Sequence, residues 1–256
     1  MPDPPTDRNA LTALRRAADV ALDWFYPRHC YHCGRPLNDS DAQTLCIDCS
    51  GELREQRITG ALCDLCGLPL PGDVEKGTLC VACRAEQCHF DRARAFVRYA
   101  GPVRSIIRSF KFEGCYFLGP RVLRAMLDRG WLPDGLDDAD ALLPIPLHRR
   151  RRCERGYDQA LLLGRVLARH MGLPLQTGAL IRCRYTSQQS LLPQRRRWDN
   201  VRGAFAVRSP ARVEGRRLLL VDDVLTTATT ARECARVLKQ AGVAHVQVLT
   251  LARAAP

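Results

Sequence analysis

Beyond residue 90 the apolar positions alternate between two periods. Residues 93–100 alternate with period two and predict a strand. Residues 102–112 have helical spacing and stop at Gly114, and residues 117–129 predict a second helix. Residues 141–146 form a short apolar run, as a buried strand does. Residues 159–171 read as a helix ended by Gly172. Residues 218–221 are wholly apolar and predict a central strand. Residues 229–241 predict a helix stopped by Gly242, and residues 243–251 a closing strand. Strands alternating with helices predict an α/β fold. Its sheet is mainly parallel, flanked by helices on both faces, and binds ligands at the carboxyl ends of the strands.

The first 90 residues differ. Leu11, Leu14, Ala18, Leu22 and Phe25 recur at helical spacing, which predicts an amphipathic helix within residues 1–29 that ends before Pro27. Its polar face carries mixed charge, so packing onto its own protein is favoured over a membrane surface. Residues 30–90 have cysteines where a core pattern would be, and the α/β domain is expected over residues 91–256.

Charge follows the same division. The 256-residue chain has a formal net charge of +12. Residues 1–90 carry 9 basic against 13 acidic side chains, and residues 91–256 carry 30 against 14. The second part suits polyanions such as pyrophosphate or nucleic acid. No segment approaches the apolar length of a membrane span. Arg15, Arg16, Asp19 and Asp23 interrupt any signal-peptide core, so a cytoplasmic, reducing location is expected. There, 13 cysteines point to metal before disulfides.

Eight cysteines form four CxxC pairs: Cys30/Cys33, Cys46/Cys49, Cys63/Cys66 and Cys80/Cys83. The unit is nearly duplicated, as CYHCGRPL…LCIDC and then CDLCGLPL…LCVAC. Each CxxCG reads as a knuckle, its glycine letting the turn aim N–H groups at thiolates. Four thiolates match structural Zn²⁺, so two zinc ions, one per repeat, are the simplest assignment. The spacing also allows an interleaved pairing of the same eight ligands. His29, His32, Cys88 and His89 lie close enough in sequence to substitute. A segment this short and polar would draw its folding free energy from the metal.

After the apolar run 218–221 come Asp222, Asp223 and a hydroxyl-rich turn holding Thr226, Thr227, Ala228, Thr229 and Thr230. A buried strand would deliver two carboxylates to a turn that opens a helix, a site able to hold a sugar diol and a phosphate. Upstream, His148, Arg149, Arg150, Arg151, Arg152 and Arg155 lie between a strand and a helix. Their position beside loops favours forked contacts with phosphate oxygens. A second basic run, Arg195, Arg196 and Arg197, precedes Trp198. It suits nucleic acid, with the indole either stacking on a base or packing in the core.

The stretch 218–230 resembles the signature of type I phosphoribosyltransferases, which bind 5-phosphoribosyl 1-pyrophosphate (PRPP). That resemblance gives the ribose to Asp222 and Asp223 and the 5-phosphate to Thr226, Thr227, Ala228, Thr229 and Thr230, with Mg²⁺ bridging ligand oxygens. Ala228 stands where the family has glycine. Alanine makes positive φ less favourable and predicts a weaker hold on phosphate. Several motifs in order are similar to the ComF (competence protein F) family. They are the cysteine repeats, Tyr99-Ala-Gly-Pro-Val-Arg leading to Lys111-Phe, Glu-Arg-Gly-Tyr-Asp-Gln-Ala, the Arg run ending Asn-Val-Arg-Gly-Ala-Phe, and Asp222-Asp223. Asp158 departs from the family's asparagine. The resemblance implies a phosphoribosyltransferase-like domain with a double zinc ribbon, in a family linked to DNA uptake in natural transformation.

Three readings follow. One is a binding protein for PRPP that handles single-stranded DNA. Another is an enzyme that transfers ribose 5-phosphate from PRPP to a nucleobase or other acceptor. In the third, the acidic zinc module docks a partner such as a DNA-uptake helicase. On family grounds the first ranks ahead of the second.

Overall fold

A computed structural model describes residues 28–38, 44–86, 88–186 and 194–254, with the backbone alone for 194–197. The amphipathic helix expected from Leu11 to Phe25 lies outside the described residues.

Four parallel strands make the main sheet: β1 (Arg92–Arg98), β2 (Ala141–Pro144), β5 (Arg217–Leu225) and β6 (His245–Arg253), in the order β1-β6-β5-β2. A small antiparallel pair, β3 (Leu180–Arg182) and β4 (Phe205–Val207), lies apart. The central strand is longer than its apolar run predicts. β6 continues the pairing to Asp222↔Thr250, Val224↔Ala252 and Leu225↔Arg253, so the ladder overrides the poor strand propensity of two aspartates.

Side chains of β5 alternate between two cores. Leu219 and Val221 pack with α3 (Gly101–Phe112), α4 (Leu118–Asp128) and α6 (Gln159–Met171). Leu218 and Leu220 pack against α8 (Thr229–Gln240), β3 and β4. Each cysteine repeat joins one core. Cys30, Cys46 and Cys49 bury with Leu45 and Leu53 in the first, and Cys63, Cys66 and Cys80 bury with Phe90 in the second. The ribbons therefore dock on opposite faces of the sheet. The second docks through backbone: Ala93 N–H donates to Leu65 O at 2.7 Å. Gly67 approaches so closely that a Cβ there would lie 2.6 Å from the Ala93 oxygen, so the position demands glycine.

The arginine-rich stretch expected beside loops is instead a helix, α5 (Arg149–Arg155). His148 caps it, accepting from Arg150 N–H, and Gly156 ends it at φ 80°. The remaining helices are α1 (Ile47–Glu55), α2 (Val81–Ala85) and α7 (Gln194–Val201). Among the described residues, no helix is long and apolar enough to cross a membrane.

Candidate ligand pocket and metal centres

The sheet steps at Val221. β2 ends at Pro144, opposite Val221, whereas β5 and β6 run on together. Asp222 and Asp223 thus sit on an edge that has lost its β2 neighbour. Above them opens a pocket of about 330 Å³, lined by both acids, Lys111, Arg151, Arg155 and Arg182, with Thr226 and Thr230 at one end.

Strand alternation turns the two acids to opposite faces. Asp223 points toward α3, where Lys111 Nζ lies 2.8 Å from its Oδ1. Burial alone would depress the Lys111 pKa, but the charge and hydrogen bond of Asp223 outweigh it and hold the ammonium above its ordinary value. Asp222 lies on the face shared with Arg182 and Cys234. Burial, reinforced by the neighbouring Asp223 charge, raises its pKa to about 7.

The candidate arginines divide. Arg151 and Arg155 line the pocket, and Arg149, Arg150 and Arg152 do not. Arg150 instead pairs with Glu154 at 2.9 Å and lies over Tyr185. Arg155 donates to Gln159 Oε1 at 2.7 Å and stacks on Phe112. A buried donor on the pocket wall, Arg182 Nε, has no hydrogen-bond partner among the described residues. Such a group is costly when unpaired and matches a ligand rich in acceptor oxygens.

The threonine turn has two sides. Thr226 and Thr230 face the pocket, whereas Thr227, Ala228 and Thr229, together with Thr226, line a second cavity of about 290 Å³ behind it. Thr227 and Thr229 hydroxyls meet at 2.6 Å. Ala228 is the N-cap of α8 at φ 58°, with no side-chain cap hydrogen bond. It is the one non-glycine at positive φ among the described residues. The left-handed conformation costs alanine about 1–2 kcal/mol, and glycine forfeits about 0.5–1 kcal/mol of that advantage in chain entropy. Ala228→Gly is therefore expected to raise stability by about 0.5–1 kcal/mol, read as a Tm increase of about 1–4 °C in calorimetry. A lower Tm would mean that the turn is built for alanine.

Asp158 caps α6. Its Oδ1 accepts from Leu161 N–H at 3.1 Å and its Oδ2 from Leu147 N–H at 3.3 Å. The carboxylate thus bridges a helix start to the pocket loop after β2, a double acceptor role that one amide oxygen fills less well. Tyr157 of the same motif donates its hydroxyl to Phe110 O at 2.5 Å, next to Lys111.

The cysteines assemble one group per repeat, Cys30/Cys33/Cys46/Cys49 and Cys63/Cys66/Cys80/Cys83, not interleaved. Within each group the sulfurs lie within 4.8 Å of one another. Cys33–Cys46 and Cys66–Cys80 sulfurs are 3.7 Å apart. A tetrahedron with Zn–S bonds of about 2.3 Å has edges of about 3.8 Å, so both groups fit structural zinc. The knuckle glycines bond carbonyls rather than sulfur: Gly34 N–H to Cys30 O and Gly67 N–H to Cys63 O, each 2.9 Å. His32 is engaged elsewhere, 2.9 Å from Ser105 Oγ.

For Arg195, Arg196 and Arg197 only the backbone is described, in α7. Trp198 is partly buried, carries Arg232 over its ring at 5.3 Å, and lines the rear cavity. Pattern reading gave no role to Lys111, Gln159 or Arg182. Lys111 had a signal, being one of three lysines in an arginine-rich chain, and Gln159 lies in the Glu-Arg-Gly-Tyr-Asp-Gln-Ala motif. Arg182, in a three-residue strand, had none.

Family models match in the same places. A double zinc ribbon domain covers residues 21–87 and a phosphoribosyl transferase domain covers residues 158–255. These define the class, a phosphoribosyltransferase-like α/β domain fused to two zinc ribbons. The DNA utilization protein YhgH of Escherichia coli K12 is 32% identical over 230 residues, 89% of this chain and 97% of that protein. Competence protein F of Haemophilus influenzae is 29% identical over 234 residues, 90% of this chain and 99% of that protein. ComFC of Bacillus subtilis is 27% identical over 218 residues, 82% and 85% of the two chains. The chain belongs to the competence protein F (ComF) family.

Proposed function

We propose that the protein binds PRPP, or a similar phosphorylated ribose, at the stepped edge of the sheet. The observation that carries this reading is the placement of Asp222 and Asp223 on the unpaired edge of β5, beside the α8 N-terminus and ringed by Lys111, Arg151, Arg155 and Arg182. The carboxylates suit a ribose diol, which donates hydrogen bonds. The helix start and Thr226/Thr230 suit the 5-phosphate. The cations suit pyrophosphate. Asp222 and Asp223 would hold Mg²⁺, whose chemistry is to neutralise and bridge ligand oxygens.

A pH dependence tests this reading. Diol binding needs Asp222 ionised, and its pKa is raised to about 7. Below that pH each unit costs the proton release, about tenfold in affinity. Calorimetry of Mg²⁺-PRPP should show tighter binding as pH rises from 6 to 8, beyond the change seen with Asp222→Asn. A pH profile identical in the two would overturn the role of Asp222. Turnover is a separate matter, read as pyrophosphate release with Mg²⁺, PRPP and a panel of nucleobases.

The names of the relatives bring DNA uptake to this chain as part of the proposal, and one surface favours single-stranded DNA. Phe112, 56% exposed, lines the pocket, and Tyr185, 41% exposed, lies under Arg151 of its wall. Arg155 stacks on Phe112, and Arg150 and Arg151 lie over Tyr185. Aromatic rings alternating with guanidinium groups suit unstacked bases and backbone phosphates. Binding of a fluorescent oligonucleotide should weaken steeply between 50 and 200 mM salt. Absence of binding at low salt would remove this reading. A helicase docked on the acidic ribbons is the corresponding partner proposal.

A further inference from the structure

The two zinc centres are not equivalent in their surroundings. Zinc with four thiolates is anionic, and burying such a charge calls for a nearby cation and N–H donors. At the first centre Cys33 is exposed, and the nearby Arg35 is itself exposed and paired with Asp48 at 2.8 Å. Three cysteines are buried in each centre, Cys30, Cys46 and Cys49 at the first and Cys63, Cys66 and Cys80 at the second, so the difference lies in the cation. Two arginines at the second centre, Arg94 and Arg253, are each only 7% exposed, and it is Arg253 whose Nη2 donates to Cys66 Sγ at 3.3 Å, across 187 residues of chain. Its Nε and Nη1 are buried with no hydrogen-bond partner among the described residues. Cys66 Sγ is therefore the one hydrogen-bond partner of this guanidinium among the described residues.

Arg253 is also fixed to the ligand pocket through its backbone. Its carbonyl accepts from Tyr99 N–H at 2.7 Å, and Tyr99 lines the pocket. Arg253 pairs in register with Leu225, and Ala254 N–H donates to Leu225 O at 2.9 Å, one residue before Thr226. Arg253, Cys66, Thr226 and Ala228 share the walls of the rear cavity. The residue that neutralises the metal centre thus lies between two walls of the pocket.

We propose that Arg253 makes the second zinc centre part of the ligand site, so that zinc at Cys63/Cys66/Cys80/Cys83 and a phosphoribosyl ligand strengthen each other's binding. This rests on the PRPP reading above. Without zinc the four sulfurs are no longer held together as one anionic cluster, and Arg253 loses the group it donates to. That loss moves the strand ends that hold Tyr99 and Thr226. Coupling between the two sites is reciprocal. Arg253 acts as a positioning residue and does not touch the ligand.

The test uses the full chain. Zinc release to a chromogenic chelator is followed in wild type, Arg253→Met and Arg253→Lys, with alkylation and mass spectrometry showing which cysteines lost metal. Outer-sphere contacts of this kind are worth about 10–100-fold in metal affinity. Arg253→Met should lose zinc from the second centre faster by about that factor with the first unchanged. Arg253→Lys, which keeps charge without the fork, should fall between. Saturating Mg²⁺-PRPP should slow release from the second centre of wild type alone, and not in Arg253→Met. Equal release from both centres in Arg253→Met overturns the assignment of Arg253. Ligand that binds in calorimetry yet slows neither centre, or both alike, overturns the coupling. Failure of fully zinc-loaded wild type to bind Mg²⁺-PRPP sinks the PRPP reading and the coupling together, while the chelator arm still decides the role of Arg253 at the metal.

Discussion

Asp222→Asn/Asp223→Asn is expected to lower Mg²⁺-PRPP affinity at least about a hundredfold in calorimetry. It should leave metal-free pyrophosphate binding unchanged or tighter. The two probes separate two roles for the acids. Lys111 already pairs with Asp223 at 2.8 Å, so one role is to tether a lysine. If that were the only role, removing the carboxylates would free a cation and strengthen binding of every polyanion. If they hold the diol and the magnesium, charge-assisted hydrogen bonds worth about 1.5–3 kcal/mol each are lost, and PRPP affinity falls. The second effect exceeds the first because exposing one more cation in a pocket that already holds Arg151, Arg155 and Arg182 changes little. Tighter PRPP binding by the double variant would sink the diol assignment.

Loss of zinc from the second centre is expected to destabilise the whole domain. Structural zinc contributes about 10–16 kcal/mol to folding where the site is unformed without it, comparable to the net stability of a domain. Cys63, Cys66 and Cys80 share a core with Leu218, Leu220, Leu225 and Ala228, so the sheet loses packing along with the metal. Cys80→Ser should forfeit at least about 5 kcal/mol. In a domain of this size that is about 10–20 °C in Tm. Scanning calorimetry with metal analysis checks it. A Tm within 2 °C of wild type, with one zinc lost, would mean that the second ribbon folds independently of the sheet.

The strand–helix alternation and both zinc ligand sets were legible in the sequence, because each rests on local spacing. The acids were legible as chemistry but not in their setting. Asp222 and Asp223 were expected past a strand end, yet β6 carries the ladder through them, and pairing 28 residues away along the chain leaves no local mark. The helix Arg149–Arg155 was missed because it has no apolar stripe and buries no residue, while its stop, Gly156, reads equally as a loop glycine. The burial of the ribbons against opposite faces was also hidden. It depends on Leu45, Leu53 and Phe90 meeting the sheet, and CxxC spacing says nothing about where a ribbon docks.

The strand order β1-β6-β5-β2 has a consequence for synthesis of the chain. Among the described strands of that sheet, the first one made pairs with the last. At about 5–20 residues per second, the ribosome needs on the order of ten seconds to go from Arg98 to the end of β6. Throughout that interval the edge of β1 that awaits β6 stays open, and Cys66 lacks its arginine. A nascent chain held short of Arg253 would therefore carry complete zinc ligands and an open sheet edge at once, the form most in need of a chaperone.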